Sequence, residues 1–240
     1  MKFCYLVLFL SLICLKINSQ ILDELGIKYG TDKSSHFHSY TKHYEKYFEA
    51  FRKEPIKFLE IGFHRGASAH MWEDYFTCAN LYFIDIDPGI RAFSKEFKRV
   101  HLNIVNQEDE VALKRFIEKV GGDFDIIIDD GGHTMRQQIT SFKVLFPHLK
   151  SGGIYVIEDL HTSYPYGPNY AVNFGCANPA QETAVDFLKM MVDCINLPGA
   201  RTTCADVSKC PAHIIANLPN YLAEIESIHF YCSLAFIIKK

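Results

Sequence analysis

From residue 56 onward, short apolar runs alternate with longer stretches in which apolar residues recur every three or four positions. Five short runs have the length and the β-branched and aromatic content of buried strands: 56–62 (IKFLEIG), 81–85 (LYFID), 100–105 (VHLNIV), 124–129 (FDIIID) and 152–159 (GGIYVIED). The stretches 67–76, 108–120 and 134–146 carry helical spacing instead. Strands that alternate with helices of this length pair in parallel through right-handed crossovers. The chain closes differently, because 226–231 (ESIHFY) and 234–240 (LAFIIKK) are joined only by Cys232-Ser233 and must run antiparallel. The pattern predicts an α/β fold, a doubly wound and mostly parallel seven-stranded sheet finished by an antiparallel C-terminal hairpin.

Two segments frame this core. Residues 20–54 read as a helical cap, with helices over 21–30 and 39–52 around the polar turn Gly30-Thr31-Asp32-Lys33-Ser34-Ser35-His36-Phe37-His38. Residues 160–211 break the rhythm with a crowd of Pro, Gly, Asn and Tyr, a helix over 180–197 and a Cys-rich loop. An insertion after a strand's carboxyl end lies over the ligand crevice in such sheets, so this segment is expected to form a lid. Its Tyr164, Tyr166, Tyr170 and Phe174 suit stacking on a sugar or aromatic ring and equally suit packing within the lid. Residues 20–240 are thus expected to form one domain.

The first nineteen residues stand apart. A lysine at position 2, the apolar run Phe3–Leu15 and a small residue at Ser19 have the form of a secretory signal peptide, or of a short signal anchor. The run is short for a membrane span, which needs about 20 apolar residues. Cleavage near Ser19 would send the protein into the secretory pathway without stable membrane insertion, and would leave six cysteines: Cys78, Cys176, Cys194, Cys204, Cys210 and Cys232. An even number in an exported chain is compatible with disulfides, and the four cysteines between 176 and 210 suit a local staple. The whole chain carries 25 basic and 28 acidic residues with no basic stripe, which excludes binding along a nucleic-acid backbone.

Candidate chemistry gathers at the strand ends. Glu60-Ile61-Gly62-Phe63-His64-Arg65-Gly66 links the first strand to its helix, with glycines where backbone can approach a ligand. Its G-x-x-x-G spacing departs from the G-x-G-x-x-G of dinucleotide sites, which argues against a nicotinamide oxidoreductase. Asp85 ends the second strand, where a carboxylate can accept from both ribose hydroxyls or cap a helix. Asn106-Gln107-Glu108-Asp109 follows the third strand, placed for an adenine edge, although Asp109 suits a helix cap as well. Asp129-Asp130-Gly131-Gly132-His133 ends the fourth strand and Glu158-Asp159 the fifth. Adjacent parallel strands bring both ends to one rim, so four carboxylates are expected to converge. Their repulsion calls for a compensating cation or for protons, and an all-oxygen cluster with open positions suits Mg²⁺ better than zinc.

In order and spacing these pieces resemble the S-adenosylmethionine site of class I methyltransferases. From about residue 25 the chain looks like the Mg²⁺-dependent sugar O-methyltransferases that act on macrolide and related glycosides, the mycinamicin group. Tyr29-Gly30-Thr31-Asp32-Lys33 with His38, Tyr40 and Tyr44 looks like that family's N-terminal signature. The resemblance implies Asp130, Glu158 and Asp159 as Mg²⁺ ligands and His133 as general base. It implies a cofactor site for S-adenosylmethionine drawn from Thr31, Glu60, Gly62, Arg65, Gly66, Ser68, Asp85, Gln107 and Asp129. The partner it implies is a small-molecule or glycan hydroxyl, and it leaves a homo-oligomer open. Departures are Gly132, where the family often has Ser, and the leader and Cys-rich lid, which put an antibiotic-type acceptor in question. A catechol-type methyltransferase and a non-catalytic secreted protein on the same scaffold are the competing readings.

Overall fold

The computed structural model describes residues 21–165, 173–175, 182–202 and 223–240. The predicted leader 1–19, Tyr166, Tyr170, Cys176, Cys204 and Cys210 lie outside the described residues.

The apolar runs form β1 (Lys57–Ile61), β2 (Asn80–Asp85), β3 (Val100–Ile104), β4 (Phe124–Asp129), β5 (Leu149–Ile157), β6 (Ile225–Tyr231) and β7 (Leu234–Lys239). They make one seven-stranded sheet in the order β3-β2-β1-β4-β5-β7-β6. β1 with β4 and β4 with β5 are parallel, whereas β5 with β7 and β6 with β7 are antiparallel. β4 is buried at every position but Asp125, as expected of a strand covered on both faces. The helices are α1 (Ile21–Tyr29), α2 (Thr41–Phe48), α3 (Ala67–Tyr75), α4 (Glu110–Val120), α5 (Met135–Leu145) and α6 (Ala184–Thr202).

Several boundaries move from their sequence-based places. β5 begins at Leu149, because that residue pairs with Phe124 across an irregularity in the β4 ladder that polar Lys150-Ser151 conceals. It ends at Ile157, so Glu158 and Asp159 follow the strand. The helix predicted over 39–52 is α2 plus a 3₁₀ turn, Glu49–Phe51, and Ser39 before it is left-handed with φ 57°. A 3₁₀ helix, Pro88–Lys95, fills the link between β2 and β3.

The residues gather into two compact units interleaved along the chain. One holds the described residues up to Ile56 with Phe63–Leu81 and Ile90–His101. Its core is aromatic: Tyr44 stacks on Phe48 with ring centroids 5.1 Å apart and meets Trp72 edge-on at 5.4 Å, and Trp72 stacks on Phe76 at 5.6 Å. Such pairs add about 0.5–1.5 kcal/mol each beyond the area they bury. Tyr44 of the predicted signature is therefore a core residue.

The other unit holds Lys57–Gly62, Tyr82–Gly89 and the described residues from Leu102 onward. Leu59, Ile61, Ile127, Tyr155 and Ile157 of the sheet share a core with Met135, Phe142 and Leu145 of α5 and with Phe187, Leu188 and Met191 of α6. α5 starts where it does because Thr134 and Gln137 form a reciprocal capping box, with bonds of 3.2 and 3.1 Å. Among the described residues no helix is long and apolar enough to cross a membrane. Cys78, Cys194 and Cys232 form no disulfide with one another, and Cys194 Sγ lies 3.5 Å from Met190 Sδ.

Candidate active site

Strand register builds the site. Ile61, Asp129 and Ile157 are level across β1, β4 and β5. The ladder continues one residue further, as Asp130 N donates to Ile61 O at 3.0 Å and Glu158 N to Asp129 O at 3.0 Å. Side chains alternate between faces along a strand, so Glu60, Asp130 and Glu158 project to one face and Asp129 to the other. Glu60, Asp130 and Glu158 each offer a carboxylate oxygen, all within 4.8 Å of one another. Glu60 and Glu158 are buried, at 0% and 1% exposure.

A second group shares Asp130. Ligand atoms of Asp130, His133 and Asp159 also lie within 4.8 Å of one another. His133 Nε2 is 3.4 Å from Asp159 Oδ2, while His161 Nδ1 approaches Asp159 Oδ1 at 3.8 Å. His133 Nδ1 is buried with no hydrogen-bond partner among the described residues. Both His133 and Asp159 have left-handed backbones, with φ 57° and 55°. Such residues cost about 1–3 kcal/mol each and cluster where function holds them. The expected ligand trio of Asp130, Glu158 and Asp159 is thus distributed over two overlapping groups. Glu60, expected to touch a cofactor, stands among the carboxylate donors.

Asp129 does not join the converging carboxylates, which corrects the expectation that four would meet. It is 0% exposed, and its oxygens accept from Ser141 Oγ and from Gln107 Nε2, the latter at 3.0 Å. Burial pushes its pKa up, and the bonds from Ser141 and Gln107 and the nearby His133 only partly oppose this. Gln107 Oε1 in turn accepts from Gly132 N at 2.8 Å. Asp129 and Gln107 therefore brace the Asp130–His133 loop from beneath.

The glycines serve chain-to-chain approach. A β-carbon at Gly131 would lie 1.8 Å from Gln107 Oε1, and one at Gly132 would lie 2.4 Å from Gln137 Oε1. The capping box thus occupies the space a serine at 132 would need. Gly62 has φ 93°, and the room for its missing side chain is taken by the Asp130 carbonyl.

Asp85 Oδ1 accepts from Asp87 N at 2.9 Å, a local turn, and the carboxylate is half-buried. Asp109 is a helix cap, accepting from Val111 N and Ala112 N at 2.9 and 3.0 Å. Asn106, Glu108, Asp109, Val111, Arg136 and Thr140 line an open hollow of about 600 Å³ beside it. Thr31, Arg65, Gly66 and Ser68 belong to the aromatic-cored unit. There Thr31 and Ser68 are buried, Arg65 is exposed, and Gly66 caps α3 with φ 80°. Tyr164 is exposed and Phe174 half-buried.

Clustered carboxylate oxygens with one imidazole fit a divalent ion such as Mg²⁺, since hard oxygen donors dominate the set. The sheet order with its antiparallel last hairpin defines the Rossmann-like fold of class I methyltransferases. A methyltransferase-domain family profile matches residues 59–160. L-olivosyl-oleandolide 3-O-methyltransferase of Streptomyces antibioticus is 37% identical over 182 residues, covering 73% of this chain and 46% of the relative. Mycinamicin VI 2''-O-methyltransferase of Micromonospora griseorubida is 32% identical over 231 residues, covering 91% of this chain and 52% of the relative. The solved structure of the mycinamycin-pathway methyltransferase MycE, in complex with Mg and S-adenosylhomocysteine, matches with a TM-score of 0.74 and 32% identity over 91% of this chain and 54% of that one. The chain belongs to the methyltransferase family that includes these proteins, and it spans about half the length of the curated relatives it matches.

Proposed function

We propose that this chain catalyses S-adenosylmethionine- and Mg²⁺-dependent methylation of a hydroxyl on the sugar of a glycoside. The observation that carries the reading is the convergence of Asp130 with Glu60 and Glu158 on one side and with His133 and Asp159 on the other. The names of the relatives and the Mg and S-adenosylhomocysteine bound by MycE support it.

Glu60, Asp130, Glu158 and Asp159 would hold the ion, whose Lewis acidity, when bound, makes an acceptor hydroxyl easier to deprotonate. His133 takes the hydroxyl proton at Nε2, and Asp159 Oδ2, 3.4 Å away, stabilises the resulting imidazolium. The oxygen then bonds to the sulfonium methyl as the carbon–sulfur bond breaks, and S-adenosylhomocysteine leaves. Positioning supplies the remainder of the rate.

The test is a mass-spectrometric screen of glycosides and catechols with donor and Mg²⁺, with and without chelator. The expected product is a glycoside heavier by one methylene, formed only with the ion present. Methylation of catechols alone would move the acceptor class, and turnover undiminished by chelation would remove the metal.

A further inference from the structure

Thr162 lies in the 3₁₀ turn Leu160–Ser163 directly after Asp159 and is 1% exposed. Its hydroxyl is 2.8 Å from the carbonyl oxygen of Asp159 and 3.0 Å from the carbonyl oxygen of His133. Its amide also donates to Asp159 O, at 3.0 Å. One buried hydroxyl therefore touches the backbone of both left-handed residues of the site, which lie on different loops. A strained backbone persists only where its surroundings over-determine it. For the His133 loop that restraint comes from Gln107 at Gly132 and, at His133 itself, across from Thr162.

We propose that Thr162 is a positioning residue, whose hydroxyl sets the spacing between the His133 imidazole and the Asp159 carboxylate through the backbones of both. This rests on the metal-assisted reading above. The opposite side of the turn is held independently: Leu160 N donates to Ser233 O at 3.0 Å, and His161 N to Ser233 Oγ at 3.2 Å. Ser233 thereby keeps the turn folded when the Thr162 hydroxyl is removed. What is lost is the hydroxyl's contact with the carbonyl of Asp159, whose carboxylate would hold the ion, together with the tie to the His133 loop. Groups that orient ligands from behind commonly change metal affinity by about 10–100-fold when removed.

The experiment is calorimetric titration of the purified full chain with Mg²⁺, and with Mn²⁺ as a second probe, comparing wild type, Thr162→Val and Thr162→Ser. Valine keeps the shape and loses the hydroxyl, whereas serine keeps the hydroxyl and loses the methyl. The expected result is an ion dissociation constant raised about ten-fold or more in Thr162→Val and within about two-fold of wild type in Thr162→Ser. Thr162→Val matching wild type overturns the proposal, and so does Thr162→Ser weakened as far as Thr162→Val, since packing would then be the cause. Should Thr162→Val not fold, Thr162→Cys, a weak donor of similar size, takes its place under the same criteria. A wild-type chain that takes up neither ion removes the metal-assisted reading itself, and the role of Thr162 falls with it. That outcome is distinct from an unchanged variant of an ion-binding chain.

Discussion

A β-carbon built on Gly62 falls 1.9 Å from the carbonyl oxygen of Asp130, so the end of β1 and the loop after β4 touch where a side chain would stand. With φ at 93°, position 62 also lies in a region that residues with a side chain rarely adopt. Gly62→Ala is expected to lower stability by about 2–4 kcal/mol, through backbone strain and displacement of the Asp130 loop. Urea unfolding measures this directly. A variant as stable as the wild type would mean that the close approach is not held in solution.

Asp130 is the member common to both donor groups. Asp130→Asn keeps the shape of the side chain and removes its charge, so the expected outcome is loss of Mg²⁺ heat in calorimetry with unfolding little changed. Retained ion binding would show that the two groups do not act through Asp130.

His133→Asn tests the base without demanding a new backbone, because asparagine tolerates the left-handed region better than most residues. Methyl transfer is expected to fall about 10²–10⁴-fold, while S-adenosylhomocysteine binding stays as in the wild type. Equal turnover in the two proteins would assign the proton transfer elsewhere.

In the aromatic-cored unit, Asp23 accepts from Ser35 N, Ser35 Oγ and Thr41 Oγ1 at 2.7, 2.6 and 2.6 Å. Burial raises its pKa, but the bonds from Ser35 and Thr41 together outweigh this and hold it below the ordinary 3.8. A carboxyl lowered on folding stabilises above its unfolded pKa, and the gain disappears as pH falls through the folded value. Asp23→Ala is therefore expected to cost about 1–3 kcal/mol at pH 7, with the difference shrinking as the medium is made more acidic than pH 4. Thermal unfolding from pH 2 to 8 follows it, and a pH-independent difference would show that ionisation is not involved.

The fold was legible because its signals are local. Apolar runs such as 124–129 and the two-residue link at Cys232-Ser233 carry their geometry in neighbouring residues. Asp130, His133, Glu158 and Asp159 were legible for the same reason, since each follows a recognisable strand. The role of Asp129 was not. Adjacent in sequence to Asp130, it reads as a fourth converging carboxylate, yet the alternation of β4 turns it under the sheet onto Ser141 and Gln107. Thr162 had no sequence signal, because its importance lies in reaching a carbonyl 29 residues earlier in the chain.

The sequence by itself determined the order of strands and helices, the antiparallel ending and the acidic pairs that close two strands, because periodicity and turn chemistry act over a few residues. Only the tertiary structure decided which carboxylates meet. Glu60 joins Asp130 and Glu158 because β1, β4 and β5 lie in one particular register. A slip of one residue would turn a strand's side chains to the opposite face. That register is held by core packing of Leu59, Ile61, Ile127 and Ile157 against α5 and α6, contacts between residues far apart along the chain.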